Sequence, residues 1–578
     1  MQQDTAIEGL GYSRSFLKKA FSAALYPCML SILSNCATII ADGIIVGRKI
    51  GTDGLTAISL CVPVYLILCV LGSLFVSGAF TAASNEIGRD NSSAAQRYYG
   101  YALSLCLLSS AAAAAAGIFL SEGIAGLLCS DTAVYGMVLD YTRVTLIGAL
   151  PKIMIYIPFW FLRLDGRNKT VTAMLAVMGG LNILLDVVFL IGMNMGIFGV
   201  ALASVIATAL ACVLGLFRLH TGKSSFRFRF SFPDRNALRQ ILIKGSPAAM
   251  NNLLQTIRLL CINGILITFG GKEAVAVFAV INGISAFSEA VTMGPSQAAS
   301  AMLGIFHGEH DNRSVQTTLR LELQSGLLYS ALFGAVISAG AGLIGSLYGL
   351  NMPIRFPLVC LAVSLFPALC SFTLSGYYNI AGHSALSNAL LFFRTVLFPL
   401  PCLLALAVLK GPLWLFLPAG EFLAVGAACA ITWIIRRNKN NLSPYLLMDT
   451  SLENSNNLLH FSVAGNSGEI SGACEKVTGF CRKNGMPPKQ ASRISLALEE
   501  VMAVISQKNV RHPVQFDIRM FYYRETIGIR IRYDGISLNP LSDLEGDDGS
   551  MGIAMIQKMV RSILYKQIFG LNSLLILI

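Results

Sequence analysis

Ile50-Gly51-Thr52-Asp53-Gly54 has a counterpart 220 residues later, Gly270-Gly271-Lys272-Glu273-Ala274. Pro27 and Pro247 keep the same offset, and so do Gly88 and Gly308. The first three-quarters of the chain is therefore built from two similar halves. Two like halves around a site at the bilayer midplane are typical of secondary transporters.

The composition indicates a polytopic membrane protein. Of the 578 residues, 54% are hydrophobic and only 13% are charged, whereas soluble domains are about 25% charged. The formal net charge of +12 could indicate nucleic-acid binding. The basic residues, however, are concentrated in the connector between the halves and after the last apolar run. Basic residues beside membrane spans are typical of loops that face the cytoplasm and anionic lipid. The expected environment is the lipid bilayer, and no nucleic-acid partner is expected.

Twelve apolar runs are long enough to cross a bilayer, which takes about 20 residues. They lie near 17–45, 55–83, 97–120, 134–162, 170–192, 196–218, 239–269, 274–304, 315–348, 353–380, 385–409 and 412–436. Basic loops follow the even-numbered runs, so both termini are predicted to lie in the cytoplasm, with the protein in the cytoplasmic (inner) membrane. The scattered cysteines form no metal-binding spacing and are interpreted as packing residues.

The predicted domains are an N-terminal six-helix lobe (1–220), a C-terminal six-helix lobe (221–440), a polar linker (441–457) and a soluble α/β tail (458–578). In the tail, helices are predicted over 469–484, 488–507 and 551–560. Strands are predicted over 514–521, 526–533 and 573–578. The fold class is thus an all-α membrane domain with two pseudo-twofold lobes, followed by an α/β domain.

Carboxylates inside apolar runs are the leading candidates for a functional site. Asp42 lies deep in the first run, where an unpartnered charge is costly. Asn182 and Asp186 are four residues apart and project from one helix face. Together these oxygens can hold a proton or a sodium ion. The alternative is that they only stabilise polar helix–helix contacts.

Several segments resemble the multidrug and toxic compound extrusion (MATE) family. They are Ile40-Ala41-Asp42-Gly43-Ile44-Ile45-Val46-Gly47-Arg48, Leu181-Asn182-Ile183-Leu184-Leu185-Asp186 and Gly196-Ile197-Phe198-Gly199-Val200-Ala201-Leu202-Ala203. The resemblance implies two six-helix lobes around a central cavity and cation-driven antiport of a solute. It also implies that Asp42, Asn182 and Asp186 form the ion-coupling site.

The second half lacks these carboxylates, because Asp42 corresponds to Ile262 and Asp186 to Cys402. Ion coupling is therefore predicted in the N-terminal lobe. Asn35 is a candidate for lining the substrate cavity. Glu289 offers a negative site for a cationic substrate or, alternatively, only neutralises Arg258. Two further embedded charges, Arg394 and Glu421, are predicted to pair structurally.

The tail resembles the GHKL ATP-binding fold, specifically its anti-sigma-factor serine kinase branch. The matching segments are Ser495-Leu496-Ala497-Leu498-Glu499-Glu500, Asp534-Gly535-Ile536-Ser537-Leu538-Asn539-Pro540 and Gly549-Ser550-Met551-Gly552-Ile553. Val504 stands where that family holds magnesium with an Asn, and Tyr533 where an Asp reads adenine. A degenerate module without ATPase or kinase activity is predicted. Glu500, Asp534, Gly535, Gly549 and Gly552 remain as candidates for residual nucleotide binding.

The function predicted from the sequence is antiport of organic, cationic or amphiphilic compounds against H⁺ or Na⁺. No cofactor beyond the coupling ion is expected, and ATP is not. A regulatory protein that docks on the tail is an expected partner. Two alternatives stay open: a lipid-linked sugar flippase, and a membrane sensor that signals through the tail. A flippase should need a basic cavity for pyrophosphate. The embedded residues Arg258 and Arg394 are each accompanied by an acid, which disfavours a flippase.

Overall fold

The computed structural model describes residues 2–129, 132–221, 226–347, 354–437, 442–443, 445–449, 457–509, 514–523, 526–536, 562–568 and 571–577. Contacts within the chain group it into two compact units. The larger contains Ala23–Asn438, and the other contains Leu447–Ile578 together with Met1–Ser22. The predicted linker falls mostly outside the described residues.

The first half is helical throughout its spans. Its helices are α1 (Gln2–Lys49), α2 (Thr52–Gly88), α3 (Ser92–Phe119), α4 (Ser121–Leu128), α5 (Thr132–Ile147), α6 (Ala149–Met154), α7 (Tyr156–Leu164), α8 (Asn168–Asp186) and α9 (Gly196–His220). The fourth span is a bent pair, Val134–Ile147 with Ala149–Leu164, and the two parts meet at 59°. A π-helical turn, Val187–Gly192, extends α8 to complete the fifth span.

The second half repeats this arrangement. Its helices are α10 (Arg235–Gly308), α11 (Asn312–Ala339), α12 (Ala341–Leu347), α13 (Arg355–Ile380), α14 (Ser384–Phe392), α15 (Pro399–Val408) and α16 (Phe416–Arg437). α10 holds two spans, because Gly271 breaks it with a φ of 71°. Within the described residues, eleven helices are long and apolar enough to cross a membrane, and the bent pair makes twelve. The predicted set of spans is confirmed.

The internal repeat is visible in the backbone. Positions with positive φ recur in both halves: Gly51 and Gly271, Asp90 and His310, Gly166 and Gly382. Non-glycine residues rarely adopt such a φ, so the match between Asp90 and His310 supports the internal repeat. The following helices also begin alike, since the side chains of Asn91 and Asp311 each accept a backbone N–H of the first turn.

The two halves meet where α2 crosses the two spans of α10. At one crossing Gly88 and Gly308 face each other, and a Cβ on either would collide with the opposite backbone. One turn earlier, a Cβ on Gly304 would collide with Ser84. Gly245 packs in the same way against the carbonyl of Leu74. Small residues let membrane helices approach closely, so these glycines hold the halves together at one end of the bundle.

The tail forms a five-stranded antiparallel sheet packed on two helices. The elements are β1 (Leu458–Ala464), α17 (Ser467–Lys483), α18 (Pro488–Lys508), β2 (Gln515–Tyr523), β3 (Thr526–Tyr533), β4 (Ser562–Ile568) and β5 (Leu571–Leu577). The strand order is β1-β2-β3-β5-β4. Val477 and Val501 from the helices share one core with Ile518, Ile531 and Leu574 of the sheet.

Most predicted elements of the tail are present. Both helices and the strands predicted over 514–521, 526–533 and 573–578 are confirmed within a few residues. The strands β1 and β4 were not predicted. The helix predicted over 551–560 lies outside the described residues. An α/β tail is therefore present, and its likeness to the GHKL fold stays a prediction.

Candidate functional site

The structure brings together the three polar residues predicted for ion coupling. Asp42 lies on α1, and Asn182 and Asp186 lie one turn apart on α8. The Asn182 amide Nδ2 donates to Asp186 Oδ2 over 3.0 Å and lies 3.4 Å from Asp42 Oδ1. A single amide therefore bridges two carboxyl groups from different spans.

The two carboxyl groups differ in exposure. Asp186 is fully buried at 0% and Asn182 is 7% exposed, whereas Asp42 is half-buried. Asp186 Oδ1 has no hydrogen-bond partner in the described part of the chain. A buried polar atom without a partner is rare and costs stability. This oxygen is thus available to a proton or a cation, and Asp42 is the more accessible of the two acids.

A change of helix type occurs directly beside this cluster. Asp186 is the last residue of α8, and the π-helical turn Val187–Gly192 begins at the next residue. Single π-helical turns are frequent at functional sites. Sequence periodicity contains no signal for the turn, because its six residues are simply another apolar run.

Lys152 is a charged residue near this cluster that the sequence analysis missed. It lies on α6, four residues after the Gly148 bend, and is 7% exposed. Its Nζ donates to Ser204 Oγ of α9 over 3.3 Å. The ammonium is also an electrostatic neighbour of Asp42. A count of charges inside each apolar run would have found it, because Lys152 is a basic residue in the interior of the fourth run.

Two further charged residues form a closed pair in the second lobe. Arg394 Nη2 donates to Glu421 Oε1 over 2.7 Å, and Arg394 Nε donates to Glu421 Oε2 over 3.1 Å. The guanidinium also stacks over Phe372, 4.0 Å from the ring centroid. The predicted structural pairing of Arg394 and Glu421 is consistent with this geometry.

Breaking the Arg394–Glu421 pair should destabilise the protein strongly. Glu421→Gln leaves a buried guanidinium without its counter-charge, at an expected cost of about 3–5 kcal/mol. The matched control is Glu122→Gln, because Glu122 pairs with Arg143 over 3.4 Å on an exposed surface, where a pair contributes about 0–1 kcal/mol. Thermal unfolding of the purified variants measures the difference. Equal melting temperatures for the two variants would contradict the expectation.

The candidates for a substrate cavity lie on α1 and α10. Asn35 is exposed on α1, and its neighbour Cys36 donates its thiol to the carbonyl of Ala286 over 3.2 Å. Glu289 follows Ala286 by three residues and accepts a hydrogen bond of 3.4 Å from Gln255. Asn35 and Glu289 therefore belong to facing segments of the two lobes.

Arg258 is close enough to other charged residues of the second lobe to interact with them electrostatically. It is an electrostatic neighbour of Glu421, Arg394 and Glu289. Within the described residues it forms no ion pair at contact distance. Glu289 and Arg258 are thus electrostatic neighbours without a direct salt bridge between them in the described part of the chain.

Glu322 is a buried carboxyl group that, like Lys152, the sequence analysis missed. It lies on α11, is 0% exposed, and accepts a 2.6 Å hydrogen bond from Thr373 Oγ1. Its other oxygen, Oε2, has no hydrogen-bond partner, and no ion pair to it exists among the residues that the structure describes. An unpaired carboxylate is costly in this environment, so the geometry suits a neutral acid.

Substitutions at Glu322 test this assignment. Glu322→Gln should leave the melting temperature nearly unchanged, because an amide oxygen still accepts from Thr373 and no charge is needed there. Glu322→Leu should cost about 1–3 kcal/mol, since the Thr373 hydroxyl then loses its acceptor. Thr373→Val added to Glu322→Leu is the control and should recover part of the loss. A large loss of stability for Glu322→Gln would indicate an ionised Glu322 with a partner.

Arg163 connects three spans through neutral acceptors. It lies on α7 and is 2% exposed. One guanidinium nitrogen donates to Gln297 Oε1 of α10 over 2.7 Å, and another lies 3.3 Å from Ser31 Oγ of α1. The group also packs over the Phe159 ring at 4.1 Å. Arg163 therefore helps to hold the two lobes together.

The structure describes three of the five candidate nucleotide-binding residues of the tail. Asp534 Oδ1 accepts the backbone N–H of Gln515 over 2.9 Å, so this carboxylate is occupied within the fold. Gly535 has a φ of 119°, a conformation that suits glycine. Glu500 is half-buried on α18. Gly549 and Gly552 lie outside the described residues.

The membrane-spanning part matches known proteins. A family model described as MatE matches residues 27–188 and 247–403. The chain is 23% identical over 438 residues to the multidrug export protein MepA of Staphylococcus aureus, covering 74% of this chain and 95% of that protein. MepA of Staphylococcus haemolyticus is 22% identical over 337 residues, covering 58% of this chain and 74% of that protein.

Solved structures show the same fold. One is the outward-facing conformation of a multidrug resistance MATE family transporter of the MOP superfamily, with a TM-score of 0.67 and 22% identity, covering 73% of this chain and 96% of that chain. Another is a MOP superfamily transporter from Pyrococcus furiosus, with a TM-score of 0.67 and 22% identity, covering 73% of this chain and 97% of that chain.

Proposed function

This chain belongs to the MatE family, and from that premise we propose that it is an antiporter that exports organic, cationic or amphiphilic compounds in exchange for H⁺ or Na⁺. The observation that carries the proposal is the cluster of Asp42, Asn182 and Asp186, two acids from separate spans joined by one amide. The names of the relatives, multidrug export proteins, support the class of substrate.

The coupling cycle follows from the exposure of the two acids. The ion reaches half-buried Asp42 first and is shared with Asp186 through the unpartnered oxygen. Neutralising the carboxylates lowers the free-energy cost of withdrawing them from water. The helices α1 and α8 can then change their packing, which alters the cavity between the lobes. Ion and substrate then weaken each other's binding, because the coupling between two sites is reciprocal.

The substrate site lies between the lobes in this proposal. Asn35 on α1 and Glu289 on α10 line it from opposite sides, with Arg258 nearby to limit the net charge. A cation placed there would interact favourably with Glu289. Amphiphilic compounds would pack their apolar part against the exposed apolar side chains of the neighbouring helices.

The protein is a multi-pass membrane protein. We place it in the cytoplasmic membrane with both termini in the cytoplasm, on the basis of the basic loops after the even-numbered spans. The tail then acts from the cytoplasm as a degenerate GHKL-like module that regulates export or docks a regulatory protein. The internal use of Asp534 and the burial of Tyr533 in the core support a tail without ATPase activity.

Transport assays with the full chain in proteoliposomes test the proposal. A pH gradient or a sodium gradient is imposed, and the movement of a panel of cationic dyes is followed. Gradient-driven dye efflux is the expected result. Absence of dye movement under both gradients would contradict the antiporter. Deleting 446–578 distinguishes a sensor, because a transporter should keep part of its efflux whereas a sensor should lose its output.

A further inference from the structure

Lys152 carries a positive charge into the lobe where the two acids lie. The fourth span bends by 59° around Gly148, and the Lys152 side chain follows this bend on α6. With an exposed fraction of 7%, it is largely withdrawn from water. A buried ammonium is costly without compensation, so its presence calls for a partner within the lobe.

The contacts that Lys152 makes leave part of its bonding capacity unused. An ammonium has three N–H donors. One donates to Ser204 Oγ over 3.3 Å, and the group lies over the Tyr65 ring, 5.4 Å from its centroid. Among the described residues, no carboxylate lies within ion-pair distance of Nζ. Two donors therefore remain for another acceptor, and a lysine side chain has four flexible carbons with which to reach one.

The carboxylate that interacts electrostatically with Lys152 is that of Asp42. Asp186 interacts in turn with Asp42. The other titratable groups that face this region are neutral in their ordinary form. They are Cys69 of α2, Tyr141 of α5 and Tyr156 of α7, besides Tyr65 itself. Among the residues that the structure describes, the charges that interact here are thus two acids and one base.

We propose that Lys152 is a tethered cation of the ion-coupling site, which competes with metal cations for Asp42 and Asp186 and leaves the proton as the coupling ion. This inference rests on the proposed antiport at those acids. When Asp42 is protonated, Lys152 keeps its contacts with Ser204 and Tyr65. When Asp42 loses its proton, the ammonium moves to the carboxylate and pairs with it.

The competition acts more strongly on sodium than on protons. A sodium ion must be surrounded by several oxygens, and it would have to use the same carboxylate oxygens that the ammonium takes. A proton forms a covalent O–H bond on one oxygen and needs no such shell. A tethered ammonium is also present at high effective concentration. Sodium therefore loses the competition, whereas proton binding persists.

Removal of the charge should admit sodium. Lys152→Gln keeps a donor for Ser204 and takes away the positive charge. Purified full-length protein is unfolded thermally in NaCl and in choline chloride at equal ionic strength. The wild type and Lys152→Arg should melt at the same temperature in both salts. Lys152→Gln should melt about 2–4 °C higher in NaCl, because a bound ion stabilises the folded state. Adding Asp42→Asn should abolish that rise.

Two results would overturn the inference. One is a rise of the wild-type melting temperature in NaCl as large as that of Lys152→Gln, and the other is no rise in any variant. If Lys152→Gln does not fold, Lys152→Met replaces it in the same comparison with the wild type. The proposed function fails separately, by an absence of dye movement in wild-type proteoliposomes under both gradients, whatever the response to sodium.

Discussion

Asp42→Asn is expected to reduce gradient-driven dye efflux to the level of vesicles without the protein, while the protein still folds. Asn has nearly the same shape and can keep the contact with Asn182. It cannot bind or release a proton, and it offers no negative charge to a cation. Efflux from proteoliposomes under an imposed gradient measures the loss, and thermal unfolding verifies the fold.

The matched control for this substitution is Asp53→Asn. Asp53 is an exposed carboxylate near the start of α2 in the same lobe. Its substitution should leave efflux unchanged, since it lies outside the cluster. Normal efflux by Asp42→Asn, or an equal loss in both variants, would remove Asp42 from the coupling site.

Gly308→Val is the second substitution with a large expected effect. A side chain at Gly308 would enter the backbone of α2 near Asn85 and Gly88, so the two helices must separate. Overpacking costs about 1–3 kcal/mol, which is about 5–150-fold in an equilibrium between two conformations. The closed contact between the lobes should become rare, and turnover should fall in proportion. Efflux rates and cross-linking of cysteine pairs placed across this crossing measure both effects.

Gly264→Val is the control for the glycine substitution. Gly264 lies on the first span of α10, before the break at Gly271, and a Cβ there meets nothing within 4 Å. Any cost of valine in a helix is therefore common to both variants, and only Gly308→Val should separate the lobes. Retention of the cross-link in Gly308→Val would show that the crossing tolerates a side chain and does not limit transport.

The coupling cluster shows how far a sequence can lead. Asp42 stood out because an acid inside an apolar run is costly, and Asn182 with Asp186 stood out because they share a helix face. The family resemblance implied that they form one site, but the contact itself, one amide between two carboxyl groups, came from the structure. Periodicity places a residue on a helix face but not opposite a partner. Lys152 and Glu322 were missed because their runs remain apolar on average.

Sequence patterns alone predicted the twelve spans, the twofold repeat and most elements of the tail. These follow from local properties: the length of apolar runs, helical and strand periodicity, and glycines at matching positions such as Gly51 and Gly271. The folded structure was needed to find that one amide joins Asp42 to Asp186 and that Lys152 interacts electrostatically with Asp42. It was also needed to find that Asp534 accepts a backbone hydrogen bond inside the tail. Such contacts join residues far apart in the chain, and their energy depends on distances that packing alone sets.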